Sequence, residues 1–165
     1  MGVVATQSTA VANHLAVPAV VSDVSINGAR KRFATAKLAI AAADDDTSVF
    51  FLLPVHSSWV ITSIKLFHDA ITAGTDFNVG LYNADLTDKD ENCYADAISL
   101  ATASTAGTEV AFEARDVALM GQRVWQDADA AATADPGVWY MLALTAPTVG
   151  TAAGDVVVDL TYTID

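Results

Sequence analysis

The sequence predicts an all-β domain, a β-sandwich of jelly-roll type with one short helix and an extended N-terminal arm. Three observations carry this. Residues 47–82 hold three β-rich runs parted by turn residues, Val156 to Ile164 alternates cleanly between apolar and mixed positions, and helical spacing is confined to one segment near residues 110–126. The chain has 165 residues, 53% of them hydrophobic and only 17% charged. That length suits one domain with a proper core. The charged share is below the roughly 25% of an average globular surface, so small and apolar side chains must cover part of the exterior. Residues 1–27 are read as the arm and 28–165 as the sandwich.

The arm has no period. Its run Val17-Pro18-Ala19-Val20-Val21 is too apolar for a solvated tail, which points to packing on a neighbour or on its own domain. Arg30, Lys31 and Arg32 follow as the basic cluster, three of eight positive charges against twenty acids. A net charge of −12 disfavours nucleic acid and anionic membranes as partners, so this cluster is read as a contact for an acidic protein surface, another copy included. No secretory leader is expected, because no basic region precedes an apolar core. No run reaches the ~18 apolar residues of a membrane helix.

Taken in order, Phe33 to Ala41 alternates as a strand, and Asp44-Asp45-Asp46 turns the chain, since aspartate side chains bond nearby amides. Thr47 to Pro54 and Trp59 to Asp69 are the next strands. In the latter, Val60, Thr62, Ile64, Leu66 and His68 share one face and Ile61, Ser63, Lys65 and Phe67 the other. Neither face is purely polar, so a central strand at least partly covered on both sides is expected. Gly74-Thr75-Asp76 turns into a strand ending at Tyr82. Residues 83–96, with Asp85, Asp88, Asp90, Glu91 and Asp96, read as an acidic surface loop. They imitate a calcium loop but place Cys93 at the glycine position and Ser99 at the bidentate glutamate. A short strand at 97–101, a loop at 102–107 and one or two helical turns around Val117 to Trp125 follow. Asp135-Pro136-Gly137 is a turn, Val138 to Thr145 a strand, and Val156 to Ile164 the last strand. Periodicity leaves the strand order open.

The search for chemistry yields no site. His14, His56 and His68 lack close metal-ligand spacing, and no nucleophile elbow, phosphate loop or dinucleotide fingerprint occurs. Cys93, the sole cysteine, has no fixed histidine partner and reads as a plain thiol. No enzyme, no metal and no cofactor is expected. Trp59, Trp125 and Trp139 could form a sugar-stacking platform, but all three positions read as core.

From about Arg30 to the C-terminus the chain resembles a known group. The resemblance runs through Arg30-Lys31-Arg32-Phe33, an acidic turn before a strand ending Leu53-Pro54, His68-Asp69-Ala70 and the stretch Gly74 to Tyr82. It continues through Arg123-Val124-Trp125, Asp135-Pro136-Gly137 and the loop Thr151 to Gly154. The block from Leu53-Pro54 to Gly80-Leu81-Tyr82 is its most specific part. The chain is similar to the head decoration or cement proteins encoded beside major capsid proteins in tailed bacteriophages. That resemblance implies a non-enzymatic virion protein on the outer capsid surface, bridging capsid subunits. Its implied partners are the major capsid protein and further copies of itself, as a trimer or dimer, although the group's quaternary states vary and a monomer on the lattice stays open. Val17, Pro18, Val20, Val21, Arg30, Lys31 and Arg32 are the expected contact residues. Another virion component, such as a tail or head fibre, and a carbohydrate-binding module are the rival readings.

Overall fold

A computed structural model describes residues 11, 12, 15–18, 20, 30–74 and 76–164. Eight strands form: β1 Lys31–Ile40, β2 Ser48–His56, β3 Val60–His68, β4 Asp76–Asn83, β5 Asp88–Ile98, β6 Ser104–Glu109, β7 Trp139–Thr148 and β8 Gly154–Thr163. A 3-10 turn, Val117–Leu119, and the short helix α1, Val124–Ala128, lie between β6 and β7. The two sheets have orders β1-β8-β3-β6 and β2-β7-β4-β5, antiparallel throughout.

The strand order follows from a nested pairing. β4 pairs with β5, β3 with β6, β2 with β7 and β1 with β8. The chain is one long four-tiered hairpin rolled so that alternate tiers fall in opposite sheets, which is the jelly roll. The β3–β8 and β4–β7 pairings close each sheet across the roll.

The core lies between the sheets. Ile64, Leu66, Val79, Leu81, Leu142, Leu144, Val156, Val158 and Leu160 are all fully buried. In β8 the predicted alternation holds as far as Tyr162: Val156, Val158, Leu160 and Tyr162 are buried, while Val157, Asp159 and Thr161 stay half-exposed. It fails at the end, where Thr163 is buried and Ile164 half-exposed. β3 is internal, as expected, and its second face is partly covered: Ser63 and Phe67 are half-exposed and Lys65 is exposed. A bulge between Ile61 and Ser63 resets the alternation, so that Val60 and Ile61 are both buried.

Two segments expected as loops are strands. Residues 88–98 form β5, with Asp88 opposite Tyr82, Asp90 opposite Leu81 and Ala95 opposite Val79. Between the last two pairs the strand bulges over Gly80, where an added Cβ would stand 2.2 Å from the Asp90 carbonyl oxygen. Only glycine fits there. Residues 104–109 form β6 opposite β3, with Gly107 at φ +80° under the Phe67 ring. Glu109 anchors this strand, its carboxylate accepting from the Ser63 hydroxyl and from the Ile64 and Ala111 amides.

Two predicted turns form by local aspartate bonds: Asp44 accepts from the Ala41 amide at 2.7 Å and Asp135 from the Gly137 amide at 2.8 Å. Asp46 instead accepts from the distant Val149 amide at 3.0 Å, tying its turn to the end of β7.

Candidate functional site

The expected contact residues are surface residues wherever the structure describes them. Val17 is 98% exposed, Val20 53%, and Pro18 is exposed. Val21 lies outside the described residues, as do His14 and the boundary at 27/28. Arg30, Lys31 and Arg32 are exposed at the start of β1, where Lys31 sits opposite Thr163 and Arg32 opposite Tyr162. Phe33, next in line, is 79% exposed and was not among the expected contact residues. The signal was present: alternation places Phe33 with Thr35 and Lys37 on the outward face.

Beside this basic start lies an aromatic cluster. Trp59 stacks on Tyr162 at 4.0 Å and 12°. Trp139 meets Trp59 at 5.5 Å and 81°, and His56 meets Trp139 at 5.1 Å and 82°. The ends of β2 and β8 and the starts of β3 and β7 converge there, so four strands supply one group. Trp139 is 47% exposed, which corrects its assignment to the core. It opens β7, one step before the strand enters the sandwich. Asp135 lies near, its carboxyl held below the usual range by the Ser57 hydroxyl and, more weakly, by the Gly137 amide. Ser57, fully buried, also accepts from the Val138 amide at 3.1 Å.

The third feature is buried. Arg115 Nη2 and Asp127 Oδ1 are 2.8 Å apart, with both side chains only 2% exposed. Asp127 also accepts from the Tyr94 hydroxyl at 3.0 Å, and Arg115 donates to the Leu119 carbonyl at 2.9 Å. The guanidinium lies over the rings of Phe112 and Tyr94, its Nε and Nη1 without an oxygen acceptor. A cavity of about 370 Å³ adjoins this group, lined by Asp90, Cys93, Gln122 and Gln126 among others.

Burial sets the electrostatics here. It pushes the Asp127 carboxyl up to about 6, against the downward pull of Arg115 and the Tyr94 hydroxyl. Burial likewise raises Asp90 and pushes the Cys93 thiol and Tyr94 phenol well above their ordinary ranges. The thiol is therefore protonated at neutral pH and is no nucleophile. The arrangement is a clasp: Arg115 and Asp127 close the segment between β6 and β7 on itself, and Tyr94 ties it to β5. Ala114 donates to the Tyr94 carbonyl at 3.0 Å and Asp96 to the Glu113 carboxylate at 2.8 Å, so the segment also lies along the edge of β5.

The remaining histidines and acids are dispersed. His56 Nδ1 bonds the Ser58 hydroxyl and His68 Nδ1 the Asp69 carbonyl, both at 2.9 Å, at opposite ends of β3. Asp85 caps its own turn through Thr87, and Asp129 pairs with Lys89 at 3.1 Å. Among the described residues, no three His, Cys, Asp or Glu side chains gather as a metal site would require.

These features define a class by architecture, an eight-stranded jelly-roll sandwich. Against solved structures, the chain is similar to a chain of the capsid asymmetric unit of cyanophage Pam1. The identity is 16%, covering 84% of this chain and 88% of that one, with a TM-score of 0.48. It is also similar to a chain of the acid-stable capsid of Helicobacter pylori bacteriophage KHP30, at 12% identity, 82% and 94% coverage and a TM-score of 0.45. No family model matches the chain, and no curated protein matches it.

Proposed function

We propose that this protein is a virion structural component, a decoration or cement protein that binds the outer surface of a tailed-phage head and bridges capsid subunits, without enzymatic activity. The observation that carries this reading is the exposure of the described residues before and at the start of β1. Val17 and Phe33 are the two most exposed large apolar side chains among the described residues, and Arg30, Lys31 and Arg32 stand between them. Bare apolar side chains beside a short basic run suit a protein contact, since transferring them out of water stabilises the bound state. The acidic remainder of the chain repels packaged DNA and leaves that stretch as the place for an acidic partner surface. Many such modest contacts, repeated over a lattice, give avidity without one tight site. Deleting residues 1–25 tests the reading. The shortened protein keeps its circular dichroism and melting behaviour but no longer co-sediments with capsids; undiminished co-sedimentation would remove the arm from the account.

A second reading has one observation in its favour. The half-exposed Trp139, flanked by Trp59, His56 and Asp135, offers an aromatic ring beside polar groups, as a carbohydrate-binding module does. Glycan-array binding that disappears in Trp139→Ala would support it over the first.

A further inference from the structure

Each sheet of the sandwich has two edges, and three of the four are protected. The β5 edge is covered by the segment through Glu113 and Ala114. β6 spans six residues and is interrupted opposite Phe67. β2 carries Pro54 and a bulge between Phe51 and Leu53. Short length, proline, bulges, edge charges and a covering loop are the ordinary means of stopping strand-to-strand association. Among the described residues β1 has only the charges: Lys31 and Arg32 at its start, and Lys37, which is paired with Asp155 of the neighbouring β8. β1 runs for ten residues without glycine, proline or a break in register, paired only to β8 among the described residues.

The flank of β1 is also incompletely covered. Ala34, Ala36 and Leu38 lie opposite Leu160, Val158 and Val156, which are fully buried, yet the three β1 residues remain half-exposed. Their charges identify what fits. Arg30, Lys31 and Arg32 stand at one end of the strand, and Asp44, Asp45 and Asp46 follow its other end. A second copy pairing antiparallel across a two-fold axis would set the basic end of each strand against the acidic turn of the other. Parallel pairing would set like charges together.

We propose that β1 is a self-association edge, joining two copies of this chain through antiparallel β1–β1 pairing into one continuous eight-stranded sheet. The proposal concerns the isolated protein and does not depend on capsid binding. Two charge variants of the full chain test it by sedimentation velocity over a concentration series. The first is Arg30→Glu with Lys31→Glu and Arg32→Glu. The second is Ala42→Lys with Ala43→Lys and Asp45→Lys, which leaves Asp44 and Asp46 to hold the turn. All six positions are exposed, so melting curves should match the unmodified protein. The unmodified protein should dimerise, and each variant alone should weaken association about 100-fold or more. An equimolar mixture of the two should restore a dimer, because both contacts are then opposite in sign. An unmodified protein that stays monomeric, variants that dimerise undiminished, or a mixture that stays monomeric would each overturn the proposal.

Discussion

Asp127 gives the sharpest quantitative test of the clasp. Its carboxyl titrates near 6 in the folded protein, raised from 3.8 chiefly by burial. Between those two values the folded state holds a proton that the unfolded chain has released. Stability therefore falls as pH rises through that window: the contribution is fully present below about pH 4 and lost above about pH 6. A shift of about 2 units corresponds to about 3 kcal/mol. Because the side chain is 2% exposed, solvent screening does not erase it. Asp127→Asn removes the titration and keeps an oxygen for Arg115, with its amide NH2 facing the Tyr94 hydroxyl as a donor. Urea unfolding of both proteins, followed by tryptophan fluorescence from about pH 3 to about pH 7, isolates the group from the other nineteen acids. The unmodified protein should lose about 3 kcal/mol relative to the variant as pH rises across this range. A flat difference, or one rising with pH, would mean that the pull of Arg115 outweighs burial, and the reasoning would fail.

Two further predictions concern the same edge of the sandwich. Gly80→Ala forces β5 off β4 and should cost about 3 kcal/mol or more, read as a lowered melting temperature; a melting curve within a degree or so of the original would refute the close approach. Cys93 should resist a thiol–disulfide reagent at neutral pH until the protein is unfolded, because burial holds its thiol protonated. Immediate stoichiometric reaction in native buffer would contradict that.

Strands whose burial follows strict alternation were legible in the sequence. β8 is the clearest case, since both neighbours in its sheet hold it in register and only one of its faces meets the core. β5 was not legible. Asp88-Lys89-Asp90-Glu91-Asn92 has the composition of a loop, and its strand geometry is imposed by distant partners, β4 on one side and Glu113 and Ala114 on the other. β6 is hidden for the same reason, being built of Ser, Thr, Ala and Gly. Bulges defeat a period-two reading, as Ile61–Ser63 shows. The Arg115–Asp127 clasp joins residues on either side of a 3-10 turn at no periodic spacing, so only the fold brings them together. Val17 and Val20 belong to a run expected to pack on a neighbour or on its own domain, and both are exposed; Phe33 and Trp139 were read as strand residues and their exposure depends on where their strands begin. The strand order came entirely from the nested pairing.

The central claim is a place in a virion, and imaging tests it most directly. Cryo-EM of phage particles carrying this protein should show the eight-stranded sandwich as density on the outer face of the head, touching more than one capsid subunit. Density confined to the tail, or none on the particle, would contradict the proposed function.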